Sequence, residues 1–219
     1  MPLTPRVHPA AIATVAGLLG FAVVTTVVAH GGWDAVAPDA AAHAWSVAHR
    51  PDAAVTSARA LTATGTGFFP YLLAALAGWI WRRRIRWSAA AMAVLACGQG
   101  VRALVLALAA RPRPPAADWA AHADGFSFPS GHTTTSAMAA GLLAVAVAAR
   151  AGRGRGRWAA VAALGCWAVS IGLTRVYLGV HWLTDVVAGW AFAAAWLGGC
   201  VWVGVGVGVA APRRAGERG

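Results

Sequence analysis

An all-α, polytopic membrane protein is the fold class this sequence predicts, and three observations predict it. Of 219 residues, 59% are hydrophobic and only 11% charged, well outside the composition of a soluble domain. The apolar residues come in long runs of Ala, Val and Leu, and a run of about 20 crosses a bilayer as a helix. No apolar–polar alternation recurs at turn spacing, so the spans are helices and not barrel strands.

In chain order the runs give six transmembrane helices, at about 10–29, 62–81, 87–109, 133–149, 158–173 and 183–209. The first reads as a retained span, because no small-residue cleavage site follows it closely. Residues 31–60 set Trp33, His43, Trp45 and His49 among alanines at loose helical spacing, as an interfacial helix would. The run VGVGVGV at 203–209 alternates like a strand, but an unpaired strand is untenable in lipid. It is read as a glycine-rich helix end, with Gly204 and Gly208 allowing close helix packing. Trp33, Trp79, Trp81, Trp87, Trp158 and Trp182 fall near span ends, as an aromatic belt would. Cys97, Cys166 and Cys200 lie in apolar runs without metal-ligand spacing and read as buried, inert thiols. Residues 1–219 read as a single membrane domain.

The 18 basic residues, all Arg, divide unevenly between the two sides. Arg6, Arg82, Arg83, Arg84, Arg86, Arg150, Arg153, Arg155, Arg157, Arg213, Arg214 and Arg218 fall on one side. Arg50, Arg59, Arg111, Arg113 and Arg175 fall on the other, and Arg102 lies inside the third span. Short cytoplasmic loops carry the positive excess, so both termini are expected in the cytoplasm. The net charge of +11 then reflects topology and lipid-headgroup contact, with no nucleic-acid partner.

Three polar stretches share the outer side in this topology: RPRPP at 111–115, PSGH at 129–132, and TRVYLGVHWLTD at 174–185. In the second, Ser130 suits a helix N-cap and Gly131 lets another group approach the backbone. A helix starting there aims free N–H groups outward, an anion site in itself. His132 in its first turn can exchange a proton near neutral pH. In the third, His181 and Asp185 are i and i+4 and on a helix share a face. A carboxylate on one ring nitrogen leaves the other as nucleophile or base.

Two His and an Asp could also ligate zinc, but Arg113 and Arg175, with Arg111 nearby, repel a cation and clamp an anion. The residues therefore describe a phosphoryl-transfer site that needs no metal or other cofactor. Arg113, Arg175 and the Ser130–Gly131 backbone hold phosphate oxygens, and His181 attacks phosphorus. Asp185 steadies the imidazolium, and His132 acts as acid, then base.

The pattern resembles the type 2 phosphatidic acid phosphatase (PAP2) superfamily of membrane lipid phosphatases, whose core is related to that of vanadium haloperoxidases. The family's pattern is K-x6-R-P, P-S-G-H and S-R-x5-H-x3-D. The second element is complete as Pro129-Ser130-Gly131-His132, behind DGFSF. The third appears as Thr174-Arg175-x5-His181-x3-Asp185, with Thr for Ser. The first departs: Arg113-Pro114 fits, but Leu106 stands where the family has Lys, and Arg102 lies one helical turn further back.

The resemblance implies a PAP2/haloperoxidase-like helical core, with His181 as nucleophile, Asp185 as its partner and His132 as acid and base. The expected function is hydrolysis of a lipid phosphate or diphosphate at the outer leaflet through a phosphohistidine. Polyprenyl diphosphate, phosphatidic acid and phosphatidylglycerol phosphate all fit. The alternative is a non-catalytic membrane protein that binds or moves phosphorylated lipid.

Overall fold

The computed structural model describes residues 8–152 and 154–206. These form eight α-helices, one 3-10 turn at Ala116–Asp118 and no strand among the described residues. The helices are α1 (Pro9–His30), α2 (Ala37–Ala48), α3 (Asp52–Ala63), α4 (Phe68–Arg82), α5 (Ile85–Ala109), α6 (Gly131–Arg150), α7 (Arg155–Tyr177) and α8 (Leu183–Gly206).

Five are long and apolar enough to cross a membrane: α1, α5, α6, α7 and α8. The expected second span, 62–81, is not one straight helix. Its apolar part, α4, has 15 residues, which at about 1.5 Å each falls short of a bilayer core of about 30 Å. Only α3 and α4 together pass as a sixth span, bent by 47° where they join. The break falls at Thr64-Gly65-Thr66-Gly67, two poor helix formers and two glycines. Gly67 adopts a φ of +65° there.

Helix α6 is the centre of the bundle. Half of its most apolar window is buried, against 11% for α1 and α5, and it packs against α4, α5, α7 and α8. Met138 of α6 joins Ala74, Leu95, Phe192 and Ala193 in the main apolar cluster. Helix α1 lies along α8. Their approach is close enough that a Cβ on Gly17 would overlap the Ala195 backbone, the small-residue packing of membrane helices.

Other expectations are revised. Residues 31–60 form a pair, α2 and α3, in place of one interfacial helix. The pair is tied to the loop before α6 by Arg50 to the Asp118 carbonyl (2.7 Å), Arg59 to the Ala120 carbonyl (2.5 Å) and His43 to the Asp118 carboxylate (2.9 Å). Cys97 and Cys166 are exposed and Cys200 partly so, because they sit on the outward faces of spans. The 203–209 run continues α8 to Gly206. Gly204 lines an apolar cavity of about 660 Å³ between α4, α5, α6 and α8, where close packing had been expected. Gly208 lies outside the described residues, as do Arg6, Arg153, Arg213, Arg214 and Arg218.

Candidate active site

The polar stretches converge at one end of the bundle, where α6 and α8 begin and α7 ends. The chain enters α6 through Ser130, in an extended conformation, and the first i→i−4 bond runs from the Thr134 N–H to the Ser130 carbonyl at 3.0 Å. The amides of Gly131, His132 and Thr133 therefore precede the helical ladder, as at any helix start. Ser130 occupies the N-cap position, but its side chain caps no amide. It is fully buried, and its Oγ accepts from Thr133 Oγ1 at 3.0 Å. Its N–H donates to the Asp185 carbonyl at 3.1 Å, locking the start of α6 to α8.

His181 and Asp185 meet, though not on one helix. His181 lies in the turn before α8, and Asp185 is in the first turn of α8. Nδ1 of His181 and Oδ2 of Asp185 are 3.2 Å apart, and the same oxygen accepts from the Trp182 N–H at 2.9 Å. Gly179 makes the turn possible with a φ of +73°, and a Cβ there would stand 2.6 Å from the Asp118 carbonyl oxygen. With the Nδ1 proton directed at Asp185, Nε2 of His181 carries the lone pair. It faces Arg113, whose Nη1 lies 3.0 Å away and also donates to the Val180 carbonyl at 2.8 Å. Other nitrogens of Arg113 bind the Asp124 and Gly125 carbonyls at 2.8 and 3.0 Å.

Burial pushes the His181 imidazole down to about 4, only partly offset by the hydrogen bond and charge of Asp185, while Arg113 and Arg175 depress it further. The ring is thus neutral at physiological pH and keeps its Nε2 lone pair. The guanidinium of Arg113 is also lowered by burial, opposed by Asp185 and Asp124.

Arg175, in the last turn of α7, is buried. Nη1 reaches Thr62 Oγ1 at 3.4 Å, and Nε has no partner among the described residues. His132 lies within electrostatic reach of Arg175, His181, Arg113 and Arg102, and its Nε2 is 3.5 Å from Thr66 Oγ1 in the break between α3 and α4. The bent segment thus brings Thr62 and Thr66 to the site. Gly131 is approached by the guanidinium of Arg102, whose Nη1 would lie 3.2 Å from a Cβ there and donates to the Pro129 carbonyl at 3.2 Å. A cavity of about 390 Å³ lined by Arg59, Thr62, Trp119, His122 and Arg175 adjoins this cluster. Among the described residues no group of three His, Cys, Asp or Glu side chains is placed to hold a metal.

Arg111 departs from expectation. It is not an anion clamp beside Arg113 but a fully buried strut. It donates to Asp185 Oδ1 at 2.6 Å and to Asp39 Oδ2 at 2.7 Å. Trp182 and Trp33 are more than an aromatic belt: Trp182 packs against Arg111 and donates to the Pro112 carbonyl at 3.0 Å, and the Trp33 carbonyl accepts from Arg111 at 3.2 Å. Sequence reasoning missed Asp39. The available signal was one of only seven acidic residues in the chain, set in an Ala-rich helix.

Arginine and histidine side chains thus gather at one end of an apolar helical bundle, an arrangement suited to an anion. The PAP2 superfamily model matches residues 105–206, from the end of α5 through α8. A curated relative, phosphatidylglycerophosphatase B of Bacillus subtilis (strain 168), is 37% identical over 71 residues. That stretch is 32% of this chain and 35% of the relative, so the match spans about a third of the relative's length. Among solved structures, the crystal structure of the first transmembrane PAP2 type phosphatidylglycerolphosphate phosphatase, from Bacillus subtilis, superposes with a TM-score of 0.76. It covers 92% of this chain and 98% of that one at 20% identity, a likeness of fold.

Proposed function

We propose that the chain is a lipid phosphatase acting through a phosphohistidine on His181. The observation that carries the reading is the Nε2 lone pair of a neutral, carboxylate-anchored imidazole set against the Arg113 guanidinium. When a phosphoryl group enters, Arg113 and Arg175 bind its non-bridging oxygens with the amides at the start of α6, and Arg102 supplies a third cation over Gly131. Nε2 attacks phosphorus, the N–P bond forms, and the bond to the leaving oxygen breaks. His132 gives that oxygen its proton, then takes one from the water that cleaves the N–P bond and frees inorganic phosphate. Fixed cations around a charge-spreading phosphoryl group are the largest expected source of rate.

The substrate is a phosphorylated lipid, because the site sits at the end of membrane helices, where a headgroup arrives sideways from the bilayer. Phosphatidylglycerol phosphate is the first candidate, on the names of both relatives. The active site lies on the extracytoplasmic side and both termini in the cytoplasm, following the Arg distribution. Phosphate release by purified protein from phosphatidylglycerol phosphate, phosphatidic acid and polyprenyl diphosphate tests the reading. Turnover is expected with at least one, blocked by orthovanadate and abolished in a folded His181→Ala variant. Anion binding without turnover of any of the three would leave a carrier or receptor of phosphorylated lipid. Activity surviving in His181→Ala would end the phosphohistidine mechanism.

A further inference from the structure

The nucleophile's partner is itself held by a longer buried chain, His181–Asp185–Arg111–Asp39, and its last member comes from outside the stretch that matches the PAP2 superfamily. The five N–H donors of Arg111 meet five acceptors. Nη1 donates to Asp185 Oδ1 (2.6 Å) and Thr184 Oγ1 (2.7 Å), and Nη2 to Asp39 Oδ2 (2.7 Å) and the Asp34 carbonyl (3.0 Å). Nε donates to the Trp33 carbonyl (3.2 Å). Asp39 is as fully engaged. Its Oδ1 accepts from the Thr184 N–H (2.8 Å), and its Oδ2 also accepts from Thr184 Oγ1 (2.8 Å) and the Val36 N–H (3.4 Å). Arg111, Asp39 and Asp185 have no solvent exposure.

Charge decides what this arrangement does. Asp185 faces His181 with one oxygen and gives the other to Arg111. Were Arg111 and Asp185 alone, the pair would be neutral, and nothing would offset the positive charge that His181 acquires as its N–P bond forms. With Asp39 the triplet carries one net negative charge, placed in a dry interior where such a charge acts strongly. We infer that Asp39 is a positioning residue for phosphoryl transfer: by holding Arg111 it returns to Asp185 the negative charge that stabilises the phosphorylated imidazole. Helix α2 delivers that carboxylate, which gives the segment between the first two spans a role in the chemistry.

This inference rests on the phosphohistidine reading, and the test separates the two. Orthovanadate takes an imidazole nitrogen as its fifth ligand and so mimics the transferring phosphoryl group, whereas inorganic phosphate binds without a bond to nitrogen. In purified full-length protein, Asp39→Asn is expected to lower kcat by about tenfold to a hundredfold, less than the loss from removing a histidine's direct carboxylate partner. KM and the Kd for inorganic phosphate stay within about threefold, while the Ki for orthovanadate rises in step with the fall in kcat. The double variant Asp39→Asn/Arg111→Gln removes both charges together, leaves no uncompensated buried cation, and is expected to recover part of the lost vanadate affinity. Phosphate and vanadate affinities falling together in Asp39→Asn would mean that α2 merely shapes the pocket, overturning the inference. An unchanged kcat would overturn it too, as would a double variant no better than the single one. Should Asp39→Asn fail to fold, the double variant is read against wild type, and a vanadate affinity lowered a hundredfold or more refutes the charge argument. The two anions are compared even if no lipid is turned over, so loss of the phosphatase reading alone is recognisable. A wild-type protein that binds neither anion sinks both.

Discussion

At the scale of single residues, the unusual feature of this site is an arginine inside a span. Arg102 lies on α5, forms no ion pair among the described residues, and donates to the Pro129 carbonyl at 3.2 Å. A half-buried cation in a membrane helix is costly and needs an anion or water, and the proposed phosphate site beside Gly131 offers one. Leu106 occupies the same helical stripe about 6 Å further along the axis. Arg102→Ala is expected to lower kcat/KM by about tenfold to a thousandfold, the value of one charged contact in the transition state. Leu106→Lys in that background should restore activity by supplying a cation from the neighbouring turn. A silent Arg102→Ala would make Arg102 a strut for Pro129 alone. The His181 imidazole makes a second residue-scale prediction. Because it is depressed to about 4, it loses its lone pair to a proton only below that pH. The acid limb of kcat/KM due to His181 should then fall near pH 4, after allowance for the substrate's own second ionisation. A limb near 6.5 that follows His181 would show an exposed, unshifted ring.

At the scale of elements, the turn between α7 and α8 positions His181, the proposed nucleophile, and Gly179 is its pivot. Gly179→Ala must adopt φ +73° and push its Cβ into the Asp118 carbonyl. The backbone term alone costs about 1–2 kcal/mol, so a melting temperature lower by at least about 3–6 °C is expected, with kcat reduced as His181 shifts. Gly156→Ala, with open space around it, should change neither. What was legible beforehand follows from the range of the signal. Apolar runs located α1, α5, α6, α7 and α8 because lipid imposes length and composition locally. The motif residues around His132, His181 and Asp185 were legible because their spacing is short. The break between α3 and α4 was written in Thr64–Gly67, but hydrophobicity averaged over a span hides four residues. The Asp39–Arg111 pair joins positions 72 apart, and no periodicity connects them. The i, i+4 spacing of His181 and Asp185 pointed to a shared helix, yet the bond forms across a helix start. Proximity was read correctly from the spacing, and the element that produces it was not.

At the scale of the whole molecule, the arginine-rich turns and the site occupy opposite ends of the bundle. The start of α6, the turn before α8 and the α2–α3 pair lie at one end. Arg82, Arg83 and Arg84 around the α4–α5 turn, and Arg150, Arg155 and Arg157 around the α6–α7 turn, mark the other. Positive residues resist translocation, so that second end is expected to face the cytoplasm and the site the other side. Under the proposed function, the lipid substrate then comes from the outer leaflet, and phosphate leaves to the extracytoplasmic water. In a background with Cys97, Cys166 and Cys200 replaced by Ala, single cysteines at two exposed positions read the orientation directly. Ala117→Cys lies by the 3-10 turn at the site's end, and Gly152→Cys in the α6–α7 turn. In intact cells a membrane-impermeant maleimide should label Ala117→Cys and leave Gly152→Cys unlabelled until the membrane is opened. The reverse pattern would place the site in the cytoplasm and move the substrate to the inner leaflet. Labelling of both in intact cells would mean two orientations coexist, against the Arg asymmetry that motivates the assignment.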